Sequence, residues 1–266
     1  MRTLHIIPKQ GLCNRLRSVA SCVQVAKRLD MQAVVHWNKV GNFYARFEDL
    51  FEPIPVADVR VEESCGLLNA IPKRRNLKLP KLLQLLRYDQ VIYVHRQDMG
   101  TDLLSRIRDV PEVLLVSGYS VGPHYPMTEL FHPTVALQAK IDACVAAYGP
   151  HTIGLHIRGT DNTASKAHSS LEKFIARIDA EVAADASVTF FLATDEAGVQ
   201  QALSARYGGR IIWRENVLNR TSVEGIQDAV VDLFCLCRTA RVIGSYASSY
   251  SVVAAEIGGI PLELCV

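Results

Sequence analysis

Apolar and polar positions alternate in blocks along this chain of 266 residues, and the blocks change period in a regular order. Thr3–Pro8 is an apolar run closed by the turn Lys9-Gln10-Gly11, which reads as a strand. Asn14–Leu29 then sets Leu16, Val19, Ala20, Val23, Ala26 and Leu29 on one broad helical face. Gln32–Trp37 is the next predicted strand, followed by a patchier stretch to about residue 90. Strands are predicted again at Gln90–His95 and Glu112–Ser117, and a helix from about His132 to Tyr148 stops at Gly149-Pro150. The second half is more regular. Strands at Thr152–Arg158, Val188–Thr194, Arg210–Trp213 and Arg241–Ser245 alternate with helices near Leu171–Ala184, Glu196–Tyr207, Ser222–Arg238 and Ser248–Ile257. Leu262–Cys265 reads as a last short strand.

Strand–helix alternation of this kind implies parallel sheets covered by helices on both faces. The unbroken apolar run Val188–Ala193 suits a strand buried on both sides. There are more strands than one small sheet needs. The expected fold is therefore α/β with two Rossmann-like domains, residues 1–148 and 149–266, facing each other across a cleft.

Composition narrows the class. Hydrophobic residues make up 49% and charged residues 21%, as in an ordinary soluble protein with a full core. A net charge of +2 gives no case for a nucleic-acid partner. The seven cysteines lie mostly in apolar runs, and Cys235-Leu236-Cys237 is too tight for a zinc-type pair. They read as reduced core thiols of a cytoplasmic protein. The segment Met1–Gly11 lacks the long apolar core of a signal peptide, and no stretch approaches about 20 apolar residues, the length needed to span a bilayer.

The chemistry concentrates at predicted strand ends. In Ile153–Asp161 a strand runs into a loop carrying His156, Arg158, Thr160 and Asp161. Loops beyond the carboxyl ends of parallel strands are where ligands bind, and a forked guanidinium there suits a phosphate. Three further segments converge on the same rim if the sheet is parallel: Ala193–Glu196, Asn219–Ser222 with Arg220, and the Ser-rich Gly244–Ser251 with Ser245, Ser248 and Ser249. Each has a plainer alternative. Asp195 suits an N-cap as well as a ligand contact, the serines suit helix caps, and His156 suits a satisfied core position. The first turn, Pro8–Leu16, offers Gly11, Asn14 and Arg15 near a helix N-terminus, or is an ordinary tight turn with Asn14 as cap.

Asp228 and Asp232 share one face of the long helix, and Asp232 interrupts an apolar run. It is expected either to hold a site arginine or to bind ligand hydroxyls, the alternative being a solvated stripe. Residues 73–87 carry Lys73, Arg74, Arg75, Lys78, Lys81 and Arg87 among leucines, with no acidic residue from Ser64 to Tyr88. Such a segment suits peripheral contact with an anionic membrane surface or an anionic acceptor, or forms the solvated face of a docked helix.

Taken in order, Gly-x-x-Asn-x-Leu at Gly11–Leu16, His-x-Arg-x-Thr-Asp at His156–Asp161, Ala-Thr-Asp at Ala193–Asp195, Asn219-Arg220, the Asp-bearing helix and the Ser-rich last turn resemble the GDP-fucose-dependent fucosyltransferases. The likeness is to the nodulation and N-glycan-core α1,6 enzymes and, more distantly, to the protein O-fucosyltransferases. It covers residues 150–260 best and Gly11–Leu29 weakly. The resemblance implies a GT-B-like fold and an inverting, metal-independent transfer of a sugar, L-fucose from GDP-fucose first, to a glycan or glycolipid acceptor. It implies no cofactor beyond the nucleotide-sugar donor, and no DxD stretch is present. It places Arg158 on the donor pyrophosphate, Asp195 toward the nucleobase, Asp232 in the nucleotide site, Ser248 or Ser249 on phosphate and His156 against the donor. Two departures stand out. Gly159 occupies a position where many members carry a second arginine, a contact that Arg220 or Arg15 would have to replace. Lys166 stands where core-type members carry a glutamate that is a candidate base. Asp161 is therefore the first candidate base, ahead of His168 and Asp195. The alternatives are another nucleotide sugar on the same fold, or a catalytically inactive sugar- or nucleotide-binding relative.

Overall fold

Two runs of unbroken burial, β1 (Thr3–Pro8) and the later strand Ile153–Ile157, each sit at the centre of a five-stranded parallel sheet. The computed structural model describes residues 2–40, 43–63, 66–98, 103–159, 168–217, 219 and 221–266. By its contacts the chain divides into two compact units, Met1–Thr134 with Arg220–Ile226, and Val135–Asn219 with Gln227–Val266. Each has the Rossmann-like architecture expected from the alternation of periods.

In unit 1 the chain runs β1, α1 (Leu12–Arg28), β2 (Gln32–Trp37), β3 (Val59–Glu63), α2 (Leu79–Arg87), β4 (Gln90–Tyr93), α3 (Leu103–Ile107), β5 (Glu112–Ser117) and α4 (Met127–Leu130). The sheet order is β3-β2-β1-β5-β4, with Leu4 opposite both Ala33 and Val113. Helix α1 buries Leu16, Val19, Ala20, Val23 and Ala26, the face its periodicity predicts, and ends on Lys27 and Arg28, cations that complement the helix dipole. Strand β3 lay hidden in the patchy stretch. As an edge strand it buries only Val59 fully and carries Arg60, Glu62 and Glu63, so it shows no apolar run.

In unit 2 the order of elements is α5 (Val135–Val145), β6 (Ile153–Ile157), α6 (Leu171–Ala184), β7 (Phe190–Thr194), α7 (Ala197–Tyr207), β8 (Ile211–Ile212), α8 (Val223–Leu236), β9 (Val242–Ser245), α9 (Ser249–Gly258) and β10 (Leu262–Cys265). The first turn of α8 groups with unit 1. The sheet order is β10-β9-β6-β7-β8. Ile153, Leu155, Ile157, Phe174, Ile178, Phe190, Leu192 and Leu203 form one buried cluster. Gly244 lets α9 lie close on β9, because a Cβ there would stand 2.5 Å from the Cβ of Ser251.

The strand orders fix where ligands can approach. In unit 2 successive strands step from β6 toward β7 and β8, and the chain then returns to build β9 and β10 on the other side. The crevice between β6 and β9, beyond their carboxyl ends, is the topological switch point of that sheet. The corresponding place in unit 1 lies between β1 and β5.

Candidate functional site

The switch point of unit 2 is built from three strand ends. Arg158 follows β6, Asp195 follows β7, and Ser245 closes β9. The Arg158 backbone N–H donates to Ser245 Oγ at 3.0 Å, and that hydroxyl donates to the His156 carbonyl at 3.2 Å. This stitch carries the β6–β9 pairing past its last ladder bond. The guanidinium turns toward β7, where Nη1 lies 2.9 Å from Asp195 Oδ2. The other oxygen of that carboxylate accepts from Gly159 N at 2.8 Å. Both side chains keep about a fifth of their surface open, 19% for Arg158 and 22% for Asp195. The pair is thus anchored, yet reachable from solvent.

The same crevice receives the N-terminus of α9. Ser248 is its N-cap, with Oγ accepting from Tyr250 N at 3.4 Å, and Ser249 is the first helical residue. Ala247 just before it adopts a left-handed φ of 53°. The first N–H groups of a helix lack internal partners and carry the positive end of its dipole, so they suit phosphate oxygens. Ser245, by contrast, is wholly buried and its hydroxyl is spent on the backbone stitch.

His156 lies beneath this surface. It is 5% exposed, its Nδ1 lies 2.7 Å from Ser251 Oγ, and its ring stacks on Tyr250 at 4.7 Å and 23°. Burial, aided by the Arg158 cation, holds its pKa down at about 3, so the ring is neutral. The plainer alternative, a satisfied core histidine, describes its contacts. Asp195 does not cap α7. The N-cap of that helix is Glu196, with no side-chain cap bond, and Thr194 Oγ1 accepts from the Glu196 N–H at 3.2 Å.

Gly159 is buried, and the space where its side chain would project is filled by the Glu196 carboxylate. The position where related motifs carry a second cation is therefore lined here by an anion. Asp161, Lys166 and Arg220 lie outside the described residues. His168 is described, with its ring 4.7 Å from that of Tyr246.

A second polar cluster in unit 2 was only half visible from sequence. Asp232 Oδ1 accepts from Arg214 Nη1 at 2.9 Å and Oδ2 from Asn216 Nδ2 at 2.7 Å. Asp228 accepts from Arg214 Nη2 at 3.3 Å and from Val217 N at 2.9 Å. Of the roles weighed for Asp232, holding an arginine is the one these bonds display, and the solvated stripe is excluded by burial of both carboxylates. Burial pushes the Asp232 pKa up to about 6, against the pull of Arg214 and Asn216. Nothing in the sequence marked Arg214 and Asn216 as its partners.

The first turn of unit 1 differs from expectation in two respects. Gly11 opens α1 without a side-chain cap, and Asn14 is no cap either, its Nδ2 donating to Gln10 Oε1 at 2.8 Å. Arg15 does not project toward the turn surface. It is fully buried, donates from Nε to the Gln10 carbonyl at 3.0 Å, and lies 4.2 Å from the Phe43 ring centroid and 5.1 Å from that of Trp37. Nη1 and Nη2 have no hydrogen-bond partner among the described residues, and burial lowers the pKa to about 9. Unit 1 also contains a cavity of about 310 Å³ lined by Trp37, Asn38, Lys39, Arg46, Lys73 and Arg75, among others. Asn38, one of these residues, donates from Nδ2 to the Asn69 carbonyl at 2.6 Å, and its buried Oδ1 has no partner among the described residues.

No family model and no curated sequence matches the chain. Solved structures do match its fold. The chain is similar to NodZ α-1,6-fucosyltransferase soaked with GDP-fucose, with a TM-score of 0.67 and 20% identity over 97% of this chain and 93% of that one. It is also similar to an Arabidopsis thaliana FUT1 mutant in complex with GDP, with a TM-score of 0.66 and 15% identity over 99% of this chain and 70% of the other. POFUT1 in complex with GDP matches with a TM-score of 0.57 and 13% identity, over 99% and 98% of the two chains. The fold is thus the two-domain Rossmann-like, GT-B-type fold of these fucosyltransferases.

Proposed function

We propose that this chain is an inverting, metal-independent glycosyltransferase that moves a sugar, in the first instance L-fucose from GDP-fucose, to a glycan hydroxyl. One observation carries the reading. In the fold shared with fucosyltransferases bound to GDP or GDP-fucose, the switch point of unit 2 presents an anchored, solvent-reachable guanidinium beside a helix N-terminus.

The chemistry follows from that pairing. The acceptor oxygen attacks the anomeric carbon, the bond from that carbon to the β-phosphate oxygen breaks, and GDP leaves with the electron pair. Negative charge grows on the departing phosphate. Arg158 and the N–H groups of α9 are preorganised to stabilise it, the role a metal ion fills in other sites. The acceptor proton must pass to a base within hydrogen-bond reach. Of the three candidates, Asp195 is committed to Arg158 and Gly159 N, which leaves Asp161 first and His168 second.

A second reading has its own observation. With Glu196 filling the space beside Gly159, residue 159 brings no second cation to the donor site, unlike the motif it resembles. That favours a relative that binds a different nucleotide sugar, or binds without turning over. A donor panel separates these readings: melting curves with GDP, UDP and dTDP, and sugar release from GDP-fucose and other nucleotide sugars. A rise in melting temperature with GDP and slow release from GDP-fucose are expected. If no nucleoside diphosphate moves the curve at millimolar excess, the transferase reading fails, because mass action makes even weak ligands visible there.

A further inference from the structure

Helix α2 is docked the wrong way out. Its buried residues are Pro80 and Gln84, and the next residue in register, Tyr88, is buried as well. Gln84 Nε2 donates to the carbonyls of Leu68 and Ala70 at 2.7 and 3.1 Å, and Gln84 Oε1 accepts from the Tyr93 hydroxyl. A polar side chain, satisfied by backbone, thus fixes the helix to unit 1. Its leucines point to solvent: Leu79 is 45% exposed, Leu82 56%, Leu83 37%, Leu85 55% and Leu86 78%. With successive residues turning about 100° around the axis, these five leucines form one stripe opposite Pro80, Gln84 and Tyr88. Leu77, in a left-handed conformation just before the helix, adds a sixth at 81% exposure. A helix docked to a core buries such a stripe; here no described residue covers it.

The charge around the stripe selects the partner. Lys73, Arg74, Arg75 and Lys78 precede the helix, Lys81 and Arg87 lie on it, and no acidic residue occurs from Gly66 to Tyr88. Lys81 and Arg87 fall on either side of the stripe. Lys81 Nζ lies 5.7 Å from the Tyr93 ring centroid and Arg87 Nη1 3.9 Å from Glu112 Oε2. Both chains are long enough to swing outward to headgroups while the leucines enter an apolar layer. An apolar stripe edged on both sides by cations matches the boundary between acyl chains and acidic headgroups. We infer that the outward face of α2, with the basic turn before it, docks on an anionic membrane surface, its leucines entering the headgroup boundary. The inference stands on exposure and charge alone and does not depend on the transferase reading.

Flotation of the whole chain with vesicles tests it. The chain should float with vesicles of one part phosphatidylglycerol to two parts phosphatidylcholine and stay at the bottom with phosphatidylcholine alone. Leu82→Glu with Leu86→Glu should abolish flotation with no change in melting temperature, since both side chains face water. Lys78→Gln with Lys81→Gln should weaken binding about fivefold for each charge removed. Failure to float with the anionic vesicles overturns the inference. So does a leucine variant that floats as well as the parent, or sedimentation showing a dimer that the leucine pair abolishes, which would assign the face to a second copy of the chain.

Discussion

The Asp195 carboxylate bridges Arg158 Nη1 at 2.9 Å and the Gly159 backbone N–H at 2.8 Å, so one side chain fixes both the direction and the base of the strand-end guanidinium. With both partners about a fifth exposed, the pair contributes no more than about 1 kcal/mol to folding. Its value lies in placing the cation before charge develops on a leaving group.

Arg158→Ala should therefore leave the fold intact, erase the GDP-induced rise in melting temperature and cut turnover about 10²–10³-fold. Asp195→Ala should behave differently, keeping a cation that still binds GDP but is no longer held. A loss in kcat larger than the loss in GDP affinity is expected. Equal losses in both would show that Asp195 touches the nucleotide rather than positioning Arg158.

Gly159 and Glu196 should be coupled. A methyl at residue 159 must displace the Glu196 carboxylate, which is the free end of a flexible side chain. Gly159→Ala alone should cost about 1–2 kcal/mol of stability, and less when combined with Glu196→Ala, with a coupling energy of about 0.5–1 kcal/mol. Gly159→Arg combined with Glu196→Ala restores a second cation and should tighten GDP. Unchanged GDP affinity in that double variant would remove residue 159 from the donor site.

How much of this was legible in the sequence depends on where the information sits. Residues 156, 158, 195 and 245 could be placed on one rim because apolar strands announce themselves and parallel topology brings their ends together. The Arg214–Asp232 pair could not, since Arg214 follows a two-residue strand and reaches its partners only through tertiary packing. Arg15 looked like a surface cation beside a turn, but Trp37 and Phe43 enclose it. In α2, six leucines in and just before the helix say that one face is apolar. Which face docks was decided by Gln84 meeting two backbone carbonyls, a match with no sequence signature.

Arg214, Asp228 and Asp232 make a buried three-member ion cluster, with side-chain exposures of 15%, 9% and 8%. Asp232→Ala should destabilise by about 3–5 kcal/mol, because it leaves a buried guanidinium short of a partner. Replacing Arg214 and Asp232 together by Met and Leu should cost much less. Urea midpoints of the three proteins check this. A double variant as unstable as the single one would mean that the cluster's role is to anchor the Val217 and Asn216 segment, not to satisfy charge.

Acid should unfold this protein through its buried histidines. In unit 1, His5 Nδ1 lies 2.9 Å from His36 Nε2, His5 Nε2 lies 2.8 Å from Glu112 Oε2, and Asn69 Nδ2 lies 3.2 Å from His36 Nδ1. With Asn69 donating, the chain of bonds is complete with both rings neutral. Burial lowers the pKa of His5, and burial with the neighbouring His5 and Arg60 charges takes His36 down to about 4, beside about 3 for His156. Between those values and an unfolded pKa near 6.5, the unfolded chain binds protons that the native state does not, so stability falls as pH falls. Asp232 works the other way. With its folded pKa raised to about 6, it takes up its proton first in the native state, and that favours folding as pH drops. His36 and His156 against that one carboxylate leave about one net proton, or roughly 1 kcal/mol lost from pH 6 to pH 5, and His5 adds to the loss in the same direction. His36→Gln should flatten that slope by about one proton. A wild-type stability that is level or rising across this interval would show that the histidine network is already protonated in the native state, contrary to its hydrogen bonds.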